Sequence, residues 1–416
     1  MPLVGRFAPP GDKSISHRVG LLSLLGRGRC QVGNFSNGRD CASTLEAVRA
    51  LGGGVESQGE HLVLSGAGGR LKREANLDCG NSGTTLRLLM GLLAGSSGRF
   101  GLDGDQSLRK RPMERVATPL RQMGARIDTT EGRPPVRITG GGLAGIDYRL
   151  PVASAQLKSA LLLAGLQAEG PTTVREPAPS RDHTERLLRM AGADISRVDG
   201  GWQVRPSRLS LPERLWVPGD SSSAAFFLCA AAMWPGSDVT AESISLNPTR
   251  TGFLAVLGRM GAAVETKVDD EAPEPWGRVR VRYRGGLRAC VVERREIPLL
   301  VDEVPILALT ATQAEGVTVF QGVEELRVKE SNRIAAVISQ LGAMGATLRE
   351  EGDDLLVSGP TRLQAPAALE SFGDHRIAMI LRLAVAMCGG DSQIHDEACA
   401  AISYPGFAQT LRELAG

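Results

Sequence analysis

The chain has 416 residues, 42% of them hydrophobic and 23% charged, with a formal net charge of +2 and 4% aromatics. That length exceeds one comfortable hydrophobic core, so two domains of about 200 residues are expected. So small a charge and so few aromatics offer neither the field nor the stacking platforms that nucleic acid or an anionic membrane needs, which leaves a small-molecule partner.

The first predicted element is a helix opened by GDKSISHR, residues 11–18, and continued by an apolar run from Val19. Lys13-Ser14 resembles the end of a P-loop, but five residues rather than four separate Gly5 from Gly11 and Asp12 stands where the last glycine belongs, so the Walker geometry is missing. A polar loop leading into a helix of small and aliphatic residues recurs at 80–95, 153–166, 219–232, 301–316 and 373–386. Helices apolar all round are buried ones. Out of phase runs a second phrase: an amphipathic helix, Met or Leu before Gly-Ala or a close variant, then an alternating strand. It falls at 46–57, 119–130, 186–198, 253–266 and 337–350, and PGFAQTLRELAG at the C-terminus reads as a sixth helix without its strand. The glycine permits a left-handed helix end, and the alternation suits a half-buried strand. Together the phrases predict six copies of one α/β unit, three per domain.

In every copy the polar residues sit at the start of the buried helix, where unpaired N–H groups and the positive end of the dipole favour anions. GDKSISHR places Lys13, Ser14 and Arg18 there; Asp12 or Ser14 as an ordinary cap is the competing reading, and His17 is read as a packed or capping side chain rather than a catalyst. Only six of the 48 basic residues are lysine, so a lysine in a polar cluster hints at a cation able to give up its proton, which arginine cannot do. GNSGTTLR, 80–87, suits a backbone nest for an anion. RKRP, 109–112, adds Arg111; SAQLKSA, 154–160, adds Ser154 and Gln156; RDHTE, 181–185, adds Arg181, with Asp182 or Thr184 as rival caps. VDEVP, 301–305, sets two carboxylates in apolar surroundings, where burial and a neighbouring cation pull the pKa in opposite directions and can poise it for proton transfer. RVKESNR, 327–333, gathers Lys329, Glu330 and Arg333, the first and last spaced to share a helical face, and GDHR, 373–376, adds Arg376.

The seven cysteines contain no C-x-x-C pair, which fits a reducing compartment with neither a disulfide frame nor a zinc site. No charged leader with an apolar core opens the chain, and the longest apolar run, Ala224 to Trp234, is too short to cross a bilayer. A cytoplasmic protein is expected.

As an ordered set, GDKSISHR, GNSGTTLR, KRPM, SAQLKSA, RDHTE, VDE, RVKESNR and GDHRIAM make the whole chain resemble the enolpyruvyl transferases. The closest likeness is to the branch that acts on shikimate 3-phosphate, and ASAQLKSALLLAGL with RDHTE is similar to the second of its two sequence classes. The resemblance implies an inside-out α/β barrel fold of two domains, each of three βαβαββ units, closing over a cleft. It makes 12–218 an inserted domain and 1–11 plus 219–416 a discontinuous one. It implies transfer of the enolpyruvyl group of phosphoenolpyruvate to the 5-hydroxyl of shikimate 3-phosphate with release of phosphate, on the route to chorismate and the aromatic amino acids. By motif position, Lys13, Ser14, Arg18, Ser154, Gln156, Arg181, Asp302 and Lys329 would contact shikimate 3-phosphate. Lys13, Gly83, Arg111, Gln156, Arg333 and Arg376 would contact phosphoenolpyruvate. Asp302 would be the base for the hydroxyl, and Glu330 with Lys13 the proton-transfer partners. No metal or organic cofactor is implied, and a monomer is expected.

Two positions depart from the family pattern: Ile402 stands where many members have a lysine, and Glu325 where many have Asn or Asp. Gly83 leaves room where alanine in some relatives hinders glyphosate, so sensitivity to that inhibitor is expected. Two alternatives stay open on the sequence. One is the sister reaction on UDP-N-acetylglucosamine, against which residues 102–112 lack the reactive cysteine usual there. The other is a non-catalytic binder of phosphorylated metabolites, which has no need of Asp302 and Glu330.

Overall fold

The structure is a computed structural model that describes residues 2–416. The backbone divides into two compact units, one formed by Gly11–Val217 and the other by the segment ending at Pro10 together with Pro218–Gly416.

Gly11–Val217 holds three four-stranded sheets of one topology. In the middle copy, strand Glu74–Asp78 leads through the buried helix Gly83–Gly95 to the parallel strand Gly98–Asp103. The amphipathic helix Glu114–Gln122 then precedes the hairpin Arg126–Thr130 and Arg133–Gly140, whose second arm pairs antiparallel with Gly98–Asp103. The third copy repeats this around helices Ala155–Gly165 and His183–Met190. The first copy, around Lys13–Leu25 and Arg39–Ala50, takes its edge strand from the far end of the unit: Arg214–Trp216 runs parallel to Arg29–Gly33.

The other unit mirrors that exchange. Strand Val4–Phe7, which precedes Lys13–Leu25 in the chain, instead lies parallel to Asp238–Ser245 in the copy built on helices Ser221–Met233 and Gly252–Arg259. A second copy surrounds Val304–Ala311 and Arg333–Ala343, with strand Ala314–Phe320 at its centre. The last has only the parallel pair Ala368–Glu370 and Gln393–His395 beside helix His375–Cys388. No hairpin follows its second helix, Phe407–Ala415, in agreement with the missing strand expected there. That helix packs on the chain's beginning instead. Phe407 stacks on Phe227 at 5.0 Å, and Phe227 meets Phe7 edge-on at 5.1 Å, contacts that add specific geometry to plain burial.

The expected burial pattern holds in detail. All thirteen residues of Ser221–Met233 are buried, whereas His183–Met190 buries Leu187 and Leu188 on one face and turns Arg189 outward. Each unit has its own apolar core. Within Gly11–Val217, helices Gly83–Gly95 and Ala155–Gly165 approach closely enough that a Cβ on Gly91 would lie 2.0 Å from the Ala160 carbonyl oxygen. Backbone cannot yield as a flexible side chain does, so Gly91→Ala is expected to cost about 2 kcal/mol or more through overpacking. Urea unfolding of the variant measures this, and wild-type stability would contradict it.

Candidate active site

In Gly11–Val217 the functional side chains gather where the helices begin. Asp12 caps Lys13–Leu25 by accepting the Ile15 N–H at 3.0 Å, so Ser14 is not that helix's cap. Lys13 at the first helical position pairs with Asp40 at 3.0 Å. One turn on, Arg18 donates from Nε to Thr184 Oγ1 at 2.7 Å, from Nη1 to the Ser14 carbonyl at 2.9 Å and from Nη2 to Ser159 Oγ at 2.9 Å. Ser159 and Thr184 bond each other at 2.6 Å. One guanidinium thereby joins the starts of three helices, and Thr184 serves it rather than capping; Asp182 accepts from Arg186. Ser14 and Arg181 are half-buried nearby in sequence motif terms, Arg181 in the loop before His183–Met190.

His17 lies beneath, its Nδ1 2.6 Å from Thr44 Oγ1 in a chain that continues to Thr85 and Ser82. Burial, reinforced by Lys13 and Arg18, depresses its pKa well below the ordinary value. It is a neutral packed side chain, as its lone position suggested.

Gly83 opens the next buried helix behind the cap Ser82, which accepts the Thr85 N–H at 3.1 Å. A Cβ at Gly83 would stand 2.9 Å from Arg87 Nη1 and 3.2 Å from Arg111 Nη1. The glycine is therefore the floor between two guanidinium groups. Arg111 donates to Asn81 Oδ1 at 2.5 Å. Arg87 donates to Gln156 Oε1 at 2.7 Å and to the Pro112 carbonyl at 3.1 Å, and Gln156 donates on to Thr84 at 2.9 Å. Ser154 caps Ala155–Gly165, accepting the Leu157 N–H at 3.4 Å. Arg87 was not singled out from the sequence, although it closes GNSGTTLR at the same offset that Arg18 closes GDKSISHR.

The second cluster, in the other unit, is built on Arg333. Only 1% of its side chain is exposed, and it donates from Nε to Asp374 at 2.8 Å, from Nη1 to Asp302 at 3.1 Å and from Nη2 to Glu330 at 2.6 Å. Burial opposes its charge, but Asp374, Glu330 and Asp302 outweigh that and raise its pKa. Lys329 Nζ lies 3.7 Å from Asp302 Oδ1. Burial, with Arg333 adding to it, lowers the Lys329 pKa against the pull of Asp302 and Glu325, so this ammonium loses its proton more readily than a surface lysine. Arg376 donates from Nη1 to the Asp302 carbonyl at 2.9 Å and stands 3.7 Å from the buried Glu303. Asp302 occupies a 3₁₀ turn, Val301–Glu303, ahead of Val304–Ala311.

Lys329 and Arg333 do not share a helical face. Asn332 caps the helix by accepting the Ala335 N–H at 3.2 Å, so the helix starts at Arg333 and Lys329 is in extended backbone; the two converge through Asp302. Ile402 ends a short 3₁₀ segment, Glu397–Ile402, near the C-terminus. Asp40, Ser159 and Asp374 are partners that the sequence motifs did not single out, because each is recognisable only from what it touches.

Guanidinium and ammonium groups such as Arg18, Arg87 and Lys13 in Gly11–Val217, and Arg376 in the other unit, are chemically suited to anions, and Arg333 sets Asp302 and Glu330 against one fixed cation. Among the described residues no group of three or more His, Cys, Asp or Glu side chains is placed to hold a metal ion, and no helix is long and apolar enough to cross a membrane.

The family model described as EPSP synthase (3-phosphoshikimate 1-carboxyvinyltransferase) matches residues 1–411. A 3-phosphoshikimate 1-carboxyvinyltransferase of Geobacillus kaustophilus is 47% identical over 420 residues, covering 99% of this chain and 98% of that protein. One of Bacillus licheniformis is 45% identical over 424 residues, covering 99% and 97%. Among solved structures, an EPSP synthase from Acinetobacter baumannii superposes with a TM-score of 0.87 at 40% identity over 99% of this chain and 96% of that one. The enolpyruvyl transferase NikO from Streptomyces tendae superposes at 0.78 with 19% identity, covering 100% and 95%, a likeness of fold.

The geometry around Arg333 makes a pH-dependent prediction. Burial pushes the Asp374 carboxyl up, but Arg333 more than offsets it and holds the pKa below 3.8. Asp374 therefore contributes stability that is present above pH 3.8 and lost as the pH falls further, through its lower folded-state value. Asp374→Asn is expected to lose about 3 kcal/mol at neutral pH. The urea-unfolding free energies of the two proteins should converge below pH 3.8; a gap that persists there would contradict the assignment.

Proposed function

Because this chain belongs to the EPSP synthase family, the 3-phosphoshikimate 1-carboxyvinyltransferases, we propose that Asp302, Glu330 and Lys13 move the protons in its transfer of the enolpyruvyl group of phosphoenolpyruvate to the 5-hydroxyl of shikimate 3-phosphate. The reaction adds and then eliminates. Asp302 takes the hydroxyl proton as the oxygen bonds to C2 of phosphoenolpyruvate, while Glu330 and Lys13 serve the methylene carbon, which gains a proton and then returns one as phosphate departs. Ser14, Arg18, Ser154, Gln156, Arg181 and Lys329 hold shikimate 3-phosphate. Arg111, Arg333, Arg376 and the space above Gly83 receive phosphoenolpyruvate, with Lys13 and Gln156 assisting. Arginine forks match carboxylate and phosphate geometry, which suits these two polyanionic substrates.

The observation that carries this reading is the triple hold of Arg333 on Asp302, Glu330 and Asp374. A general base has to be ionised and aimed, and one buried guanidinium does both for Asp302. Addition and elimination move no electrons to an acceptor, so the scheme needs no redox cofactor. The same reading takes residues 12–218 and residues 1–11 plus 219–416 as the family's two domains, in a cytoplasmic monomer.

Phosphate release from phosphoenolpyruvate decides the matter: it should require shikimate 3-phosphate, and no release with both present, or release driven by UDP-N-acetylglucosamine instead, would refute the assignment. Lys13→Met should lower kcat/KM by about 10²- to 10⁴-fold while the protein stays folded by thermal unfolding, the range that proton transfer commonly supplies. Near-normal turnover would remove Lys13 from the mechanism. Gly83→Ala should raise the KM for phosphoenolpyruvate about tenfold, with the KM for shikimate 3-phosphate little changed, because the added methyl displaces Arg87 and Arg111. Glyphosate inhibition should weaken with it; equal effects on both substrates would contradict the placement of Gly83.

A further inference from the structure

Lys158 has no part in the scheme above, yet its side chain is wholly buried. Its ammonium lies 2.7 Å from Glu185 Oε1, 2.8 Å from Glu176 Oε2 and 3.3 Å from the Ser180 carbonyl. Glu185 is equally buried and Glu176 nearly so. Glu176 and the Ser180 carbonyl accept hydrogen bonds from the ammonium, and Glu185 adds a second close negative charge. The other oxygen of Glu176 accepts the Ser180 N–H at 3.2 Å and the Ser180 hydroxyl. Residues 176–185 are thus drawn onto helix Ala155–Gly165 at one point.

That point has a neighbour on each side. Ser159, next to Lys158, and Thr184, next to Glu185, are the two hydroxyls that orient Arg18. Arg181 follows Ser180, whose carbonyl Lys158 holds. A buried ion cluster costs desolvation that well-packed apolar residues would avoid, so stability alone is a poor reason for one, whereas fixing a single arrangement is a use such clusters can have.

We propose that Lys158, with Glu176 and Glu185, is a positioning residue for shikimate 3-phosphate, fixing Arg181 and the Ser159–Thr184 seat of Arg18 where that ligand's anionic groups require them. This rests on the assignment of Arg18 and Arg181 to shikimate 3-phosphate. The cluster itself touches no substrate; it sets the distance between two groups that do.

The test compares Lys158→Met, Lys158→Arg, the charge-free triple variant Lys158→Met/Glu176→Gln/Glu185→Gln, and Arg181→Gln, each screened for folding by thermal unfolding and assayed with either substrate varied. Lys158→Met should raise the KM for shikimate 3-phosphate about tenfold or more while the KM for phosphoenolpyruvate stays within about twofold. Lys158→Arg, which keeps a cation between the two carboxylates, should return the first KM to within about threefold of wild type. The triple variant leaves no buried charge unpaired, so it should fold where the single variant does not, and should still show the raised KM. A folded triple variant with a normal KM for shikimate 3-phosphate, or one in which both KM values rise alike, overturns the positioning role, provided Arg181→Gln raises that KM. A normal KM in Arg181→Gln overturns the underlying ligand assignment instead.

Discussion

A helix that is apolar on every side still has to begin, and its first N–H groups need acceptors wherever it does. In this protein Asp12, Ser82, Ser154, Asp220 and Asp374 supply them at the starts of five buried helices. The demand is local and unavoidable, since an unmet buried donor costs about 1–3 kcal/mol. It is also what concentrates polar side chains at one end of each copy. Lys13, Gly83, Gln156 and Arg376 all lie within the first turn of such a helix, so the groups proposed to meet substrate are by-products of a capping requirement that the fold would have even without chemistry.

The two clusters use that opportunity differently. In Gly11–Val217 the bonds that aim Arg18, Arg87 and Arg111 run to neutral acceptors: hydroxyls, amides and carbonyls. Such bonds fix a guanidinium's direction. Around Arg333 the acceptors are carboxylates, so cation and anion stabilise each other, and Asp374 is held below its ordinary pKa despite burial.

Much of this was readable from periodicity. The six buried helices, the strand after each of five amphipathic helices, and the absence of a strand after the sixth all follow from two recurring phrases, because a buried helix and a half-buried strand each impose a composition that survives in one dimension. Which sheet an edge strand joins does not. Nothing in VGRF says that Val4–Phe7 pairs with residues 238–241 rather than with the copy it precedes, since that choice depends on the rest of the unit. The same limit applies at the site. Motif spacing marks Lys329 and Arg333 and suggests one helix for both, but Asn332 caps the helix between them. Arg87 and Lys158 lie within the motifs, yet an arginine in a leucine run and a lysine in an alanine-leucine run declare their partners only in three dimensions.

The exchanged edge strands also order events in time. The first sheet of Gly11–Val217 closes when Arg214–Trp216 joins it, so every strand of that unit has been made by residue 216. Val4–Phe7 pairs with Asp238–Ser245, more than 200 residues further along the chain, and Phe7 meets Phe227, on which Phe407 stacks. Contacts so distant in sequence form slowly because a long loop has to close before they bring any reward. On a ribosome the inserted unit can therefore be finished while the chain's own beginning is still waiting for its partner. The strand Val4–Phe7 can pair only after the inserted unit is complete, and the unit it joins is the one that carries Asp302 and Glu330.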